Sequence, residues 1–488
     1  MVIFEKSQSG RCATAQVPAP NSTTETLDPV WLRQDKPVLP EMSELDVIRH
    51  FTQLSQKNFC VDTQFYPLGS CTMKYNPRGV QHFAMQSAFL QHHPLFPTDS
   101  AQGILACLYE LQEYLKIITG MPFVSLTPMA GAQGEFAGCA MIRAYHQARK
   151  DNARVEMLVS DAAHGTNPAS AAMTGFVVKE IPTTQDGDID LTALQQLVGP
   201  HTAGVMLTNP STLGVFDRSI IEVARIVHAA GGLLYYDGAN MNAILGRVRP
   251  AEMGFDVVHI NTHKTFATPH GGGGPGSGPV AVNDKLRAFL PIPIVAKKIV
   301  AEKTEYYLWE EEDCPESIGR LSTFMGNVGV LLRAYIYIRL LGEVGLKRVA
   351  NYATLNANYL QQKLQEIGFT IAFPQRRVAH EFIITLAKEA KTQQVTALDV
   401  GKRILDFGFY APTMYFPLLI PECLLIEPTE TESKQTLDAF IAALKIIWHE
   451  IQHSPEKVCT APSRLACKRL DEVNAARNLD LVWHEKKL

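Results

Sequence analysis

The chain has 488 residues, 46% of them hydrophobic and 19% charged, and a formal net charge of −4. Such a length supports a large core and roughly two to four domains, while so small a charge imbalance excludes a general nucleic-acid binder. The sequence shows no apolar span long enough for a membrane and no secretory leader, so a cytoplasmic protein is expected.

Residues 1–90 are rich in Pro, Ser, Thr and Gln and carry only short periodic segments, which predicts an extended N-terminal arm. Inside it, Gly69-Ser70-Cys71-Thr72-Met73-Lys74 is dense in small and polar residues and reads as a loop at a site. The nine cysteines are scattered, odd in number and contain no Cys-x-x-Cys, so neither a disulfide framework nor a zinc centre is expected. They read as reduced thiols, mostly in the core. No base is visibly paired with Cys71.

From Gln102 the pattern becomes helical, with Ile104, Leu108, Leu111 and Leu115 on one face and Gly120 as the stop. A large domain is expected over 91–345. In it, apolar runs (Val155 to Val159, Gly204 to Leu207, Leu233 to Tyr236, Val257 to Ile260, Pro279 to Val282) alternate with helical stretches such as Glu135 to Arg149 and Ile220 to Ala230. That alternation predicts an α/β fold, a mostly parallel sheet with helices on both faces. A smaller C-terminal α+β domain is expected over 346–453 and a polar tail over 454–488. Thr429 and Glu432 predict a capping box for the last helix, whose buried stripe is Leu437, Phe440, Ile441 and Leu444.

Ligands of open α/β sheets sit beyond the carboxyl ends of strands, where His164, Asn209, Asp237 and Lys264 fall. Lys264 closes an apolar run and opens onto His270-Gly271-Gly272-Gly273-Gly274-Pro275-Gly276; Asp237 ends another run just before Gly238-Ala239-Asn240. A lysine and a buried acid so placed suggest a Schiff-base lysine and a partner for a pyridinium nitrogen, hence pyridoxal phosphate. Ala239 would give the ring a small face and His164 a flat partner. For the phosphate, Ala132 and Gln133 within Met129-Ala130-Gly131-Ala132-Gln133-Gly134-Glu135 offer amides at a helix start. Each signal has a plainer reading: a helix-capping Asp, a hydrogen-bonded loop His, glycines for close packing.

The run Gly271 to Gly276 satisfies G-x-G-x-x-G but leads into a strand rather than a helix, so a dinucleotide fingerprint is rejected. His259 and His263 are four apart across a strand-to-loop transition, which does not put them on one face; no metal site is expected.

Several strings taken together resemble the pyridoxal-phosphate half (subunit 2) of glycine dehydrogenase (decarboxylating), the P-protein of the glycine cleavage system. They are YPLGSCTMKYNPR from Tyr66, AGAQGE from Ala130, AHGTNPA from Ala163, LTNPSTLG from Leu207, YYDGANMNAI from Tyr235, NTHKTFATPHGGGGPGSGP from Asn261 and EPTETESK from Glu427. The resemblance runs through nearly the whole length. It implies a fold-type-I pyridoxal-phosphate enzyme with Lys264 holding the cofactor, Asp237 at the ring nitrogen and His164 over the ring. It further implies that glycine loses carbon dioxide and that its aminomethyl group passes to the lipoyl group of the H-protein. A related subunit lacking the lysine, P-protein subunit 1, is the implied partner in an α2β2 heterotetramer. For the glycine carboxylate, Thr72, Asn209, His263 and Arg320 are polar residues in matching segments. Gln133 and Tyr410-Ala411 depart from the family pattern, where histidine is common at 133 and 410. Another amino-acid decarboxylase or aminotransferase, or a noncatalytic scaffold subunit, are the competing readings.

Overall fold

The computed structural model describes residues 1–12, 28–35, 37–270 and 276–484. Contacts divide the chain into two units, 64–463 and a smaller one made of 1–63 with 464–488. Segment 64–90, expected as part of an arm, therefore packs within the larger unit; Arg78–Ala84 lies as a helix against the helix Val328–Ile367.

In the larger unit seven strands form one sheet: β1 (Phe123–Ser125), β2 (Glu156–Ser160), β3 (Val177–Ile181), β4 (Thr202–Thr208), β5 (Leu233–Asp237), β6 (Val257–His259) and β7 (Val280–Val282). The order is β1-β7-β6-β5-β4-β2-β3. Strands β3, β2, β4, β5 and β6 are parallel neighbours, and β7 runs antiparallel to β6 and to β1. All seven residues of β4 but Thr208 and all five of β5 are buried, the uninterrupted apolar pattern required when helices cover both faces. Thus the expected mostly parallel sheet is present, with one antiparallel strand inserted.

The helix Gln102–Thr119 buries Ile104, Leu108, Leu111 and Leu115 and ends at Gly120, whose φ of 74° is the left-handed stop. Close packing explains Gly138 on the helix Gly131–Ala148: a Cβ there would lie 2.2 Å from the Tyr235 ring. A hairpin of β8 (Ile294–Val300) and β9 (Lys303–Trp309) follows the sheet.

Four antiparallel strands, β10 (Thr370–Ile371), β11 (Phe382–Thr385), β12 (Thr413–Met414) and β13 (Cys423–Ile426), form the smaller sheet in the order β10-β11-β13-β12. They share a core with the helices Ala397–Asp406 and Lys434–His453 and with Phe65. No break in the backbone marks residue 345, since one helix runs Val328–Ile367, turning only at Gly342. The last long helix buries Leu437, Phe440 and Leu444, but its cap is Ser433, which accepts the Thr436 amide. Thr429 and Glu432 form no cap because Thr429 is left-handed, at φ 53°, whereas a cap residue is extended.

The smaller unit holds a helix, Glu44–Ser55, capped by Ser43, and a stacked pair, Phe4 and Trp483, 4.8 Å apart. Among the described residues no cysteine forms a disulfide, but only Cys139 and Cys423 are buried, so the expectation of mainly core thiols does not hold. Among the described residues no helix is long and apolar enough to cross a membrane.

Candidate active site

Strands β4, β5 and β6 bring their carboxyl ends side by side, with Thr208 in register with Asp237 and Asp237 with His259. Asn209 follows β4, Asp237 closes β5, and Lys264 stands on the one-turn helix Thr262–Thr265 after β6. Lys264 is half-buried, and among the described residues no hydrogen bond or ion pair engages its amine. Its charge acts on His164, Asp237, Cys71, Glu381 and Glu427, so the amine sits where these groups converge.

Asp237 is 2% exposed and held on three sides. The Ala239 amide donates to Oδ1 at 2.9 Å, Asn167 Nδ2 donates to Oδ2 at 2.9 Å, and His259 Nε2 lies 3.3 Å from Oδ1. Burial opposes ionisation, yet the His259 contact, the Lys264 charge and these donors outweigh it and hold the carboxyl below its ordinary pKa. His259, fully buried, is itself held below its usual pKa by burial and is neutral. Tyr235 OH sits 2.6 Å from its Nδ1, and Nε2 is 2.7 Å from Asn261 Oδ1. Two acceptor oxygens at Nε2 place the ring proton there, leaving Nδ1 to accept from the tyrosine.

Glu135 completes this network. Its oxygens accept from Thr166 Oγ1 at 2.8 Å and Asn167 Nδ2 at 3.0 Å. Burial and the nearby Asp237 charge push it up to about 8. Two acids bridged by one amide thus differ in charge, Asp237 ionised and Glu135 protonated at neutral pH. Glu135, Asp237 and His259 have ligand atoms within 4.8 Å of one another, but those atoms are engaged by Thr166, Asn167, Ala239 and Asn261.

The helix Gly131–Ala148 starts beside Lys264's loop, with Gly131 so close to Asn261 that a Cβ would lie 2.1 Å from Nδ2. Ala132 is exposed and Gln133 half-buried at that start. Gln133 Oε1 accepts the Met129 amide at 2.7 Å and its Nε2 donates to the Leu321 carbonyl at 3.3 Å. This uncharged amide ties the loop before the helix to the Leu321 carbonyl.

His164 is exposed, its Nδ1 fixed by Thr166 Oγ1 at 2.8 Å, with its ring edge-on to Phe416. Ala239 is buried next to Asp237. His263 is pushed down to about 3 by burial and the Lys264 charge, and among the described residues its Nδ1 is buried without a partner. Asn209 is 1% exposed and its side chain is committed elsewhere, Oδ1 accepting the Asp217 amide at 2.9 Å. Arg320 is exposed and paired with Glu310 and Glu311. Cys71 is half-buried, its thiol pushed up to about 11 by burial, and is no nucleophile at neutral pH. Tyr410 stacks on Tyr66, centroids 4.0 Å apart. Of the glycine loop, residues 271–275 lie outside the described residues; Gly276 sits against His263, where a Cβ would be 3.0 Å from Nδ1.

Sequence reasoning passed over Glu135, Asn167 and His259 as parts of the site. All three were visible inside runs already singled out, yet their roles depend on which side chains meet across β2, β5 and β6, which spacing does not report.

Residues 137–402 match the aminotransferase class-V family model, so the chain belongs to that class. Residues 349–465 match the model of the glycine dehydrogenase C-terminal domain. The chain is 63% identical to the probable glycine dehydrogenase (decarboxylating) subunit 2 of Thioalkalivibrio sulfidiphilus, covering 99% of this chain and 97% of that one. The protein of the same description from Coxiella burnetii is also 63% identical, over 99% and 98%. The chain belongs to the glycine dehydrogenase (decarboxylating) subunit 2 family. Its fold is similar to a crystal structure of glycine decarboxylase (P-protein) in inhibitor-bound form, with a TM-score of 0.70 at 22% identity over 89% of this chain and 94% of that one. The glutamate decarboxylase of Lactobacillus brevis gives 0.65 at 14% identity, over 87% and 96%.

Proposed function

We propose that this chain is the pyridoxal-phosphate-bearing subunit of a glycine dehydrogenase (decarboxylating), with Lys264 as the amine that holds the cofactor. The observation that carries this reading is a free lysine amine and a fully buried, ionised aspartate at the ends of adjacent strands. The residues fit the group: Asp237 is a buried anion, His263 Nδ1 is buried without a partner among the described residues, and Ala132 at the helix start is exposed.

Lys264 would supply the covalent anchor for the cofactor and Asp237 would hold a proton on its ring nitrogen, with His259 and Asn167 fixing the carboxylate's orientation. His164 and Ala239 would be the residues to flank the ring. The amides of Ala132 and Gln133 would take the phosphate, helped by the positive end of an 18-residue helix. Asn209 shapes this pocket through its backbone and its hold on Asp217, and His263, neutral, adds a polar contact without a charge. When bound, pyridoxal phosphate supplies an electron-withdrawing ring that takes up the electron pair as glycine loses carbon dioxide.

The aminomethyl carbon would then bond to one sulfur of the lipoyl disulfide of the H-protein, whose S–S bond breaks and takes up the two electrons, and a subunit 1 chain would be the partner in an α2β2 assembly. Nine cysteines without a disulfide among them favour a reducing, cytoplasmic setting. The test is exchange of labelled carbon dioxide into glycine by the chain with its partner subunit. Exchange that requires lipoyl H-protein supports the reading; lipoyl-independent decarboxylation, or transamination, overturns it.

A further inference from the structure

A second buried cluster lies across the pocket from Asp237, on segment 69–74 and the small sheet. Glu381, on the residue before β11, and Glu427, on the residue after β13, are both 0% exposed. Each accepts a backbone amide from one segment: Ser70 N donates to Glu381 Oε2 at 2.7 Å and Thr72 N to Glu427 Oε2 at 2.9 Å. Asn240 Nδ2, three residues past Asp237, donates to Glu381 Oε1 at 3.2 Å. Ser70 and Thr72 are both left-handed, at φ 61° and 49°, a conformation that non-glycine residues keep only when their surroundings hold them there.

The same segment is tied down on both sides of those residues. Gly69 N donates to the Leu425 carbonyl at 3.2 Å, its carbonyl accepts from Thr413 Oγ1 at 2.6 Å, and a Cβ at Gly69 would lie 2.7 Å from the Leu425 oxygen. Lys74 Nζ reaches the carbonyl of Thr265, the residue after Lys264, at 3.0 Å. Residues 69–74 therefore form a hook between the small sheet and the Lys264 helix.

The two carboxyls and His380 have ligand atoms within 4.8 Å of one another. Among the described residues, Glu427 Oε1 and both ring nitrogens of His380 are buried without partners, and Oε1 lies 3.8 Å from Nε2. His380 is pushed down to about 3, chiefly by burial, and is a neutral acceptor. The nearest cations do not neutralise two charges: Lys74 is paired with Glu430, and Lys264 serves the whole pocket. Cys71, the remaining titratable group on the hook, stays a thiol. Two carboxylates so close in a dry site cannot both ionise.

We propose that Glu381 and Glu427 share a single proton and act as positioning residues, holding the Ser70–Thr72 hook against the Lys264 pocket. Burial raises both carboxyls, and the charge of Glu427 raises Glu381 further. The two hook amides are accepted by Glu381 Oε2 and Glu427 Oε2 whichever carboxyl carries the proton. The positioning role rests on the Lys264 reading, but the proton does not.

The test has two arms on the full chain. Infrared spectra at neutral pH are taken for wild type, Glu381→Gln, Glu427→Gln and the double variant. The expected result is loss of the same single protonated-carboxyl band in all three, because either glutamine lets the remaining acid ionise; Glu135→Gln leaves that band in place. No loss, or losses that add in the double variant, overturns the shared proton, as does a stoichiometric metal ion that the variants release. In the second arm, Glu427→Ala lowers kcat/KM for glycine by at least about tenfold, and Glu427→Gln, which keeps the acceptor for Thr72 N, recovers most of it. A glutamine variant as impaired as the alanine variant overturns the positioning role.

Discussion

His259 Nε2 stands 3.3 Å from Asp237 Oδ1, while Tyr235 OH, 2.6 Å from Nδ1, fixes which nitrogen carries the proton. The imidazole can only donate toward the acid. Asp237→Asn keeps an oxygen for the Ala239 amide and removes the charge, so the fold should survive and the chemistry should not. The expected outcome is a thermal midpoint near wild type and a fall in kcat on the order of 10²–10³, read by steady-state kinetics and calorimetry.

Glu135 gives the site a signature in stability against pH. Its folded pKa, about 8, lies above the ordinary 4.5, so the folded state binds more protons than the unfolded one between those values. Stability from this group is present below the lower value and is lost as pH rises through the upper one. Glu135→Gln should flatten that decline. Urea unfolding at several pH values measures it, and an unchanged slope would contradict the assignment.

Lys74 and Glu430 form an ion pair at 2.5 Å with side chains only 1% and 7% exposed. Removing one partner strands a buried charge, so Lys74→Met should cost about 3–5 kcal/mol. Lys74→Met with Glu430→Leu should recover most of that. Chemical denaturation of the two variants and wild type checks both figures.

Gly131→Ala drives a methyl into the Asn261 amide at the head of the Lys264 helix. A destabilisation of about 1–3 kcal/mol is expected. Because Asn261 moves with Lys264, pyridoxal phosphate should also bind more weakly, which a titration followed by absorbance reports.

The sheet was legible because its strands are buried on both faces and read as unbroken apolar runs, and the same runs located Asp237 and Lys264 by their carboxyl ends. Gly120 was legible because a left-handed stop leaves a glycine behind. Ser433 was missed as the last helix's cap because Thr429 offers an equally good pattern, and only its backbone angle disqualifies it. Glu381 and Glu427 were not legible as a pair: they are 46 residues apart in sequence, and β11 and β13 bring them together only by pairing Phe382 with Ile426. The hook residues sat in a segment expected as an arm, since nothing in Gly69 to Lys74 announces that its amides face two buried acids.

The account stands on Lys264 as the cofactor's anchor. Borohydride reduction of the chain loaded with pyridoxal phosphate, followed by peptide mapping, reads that link directly. The label should fall on the peptide bearing Lys264 and vanish in Lys264→Ala, which still folds; label on any other lysine, or none at all, would contradict it.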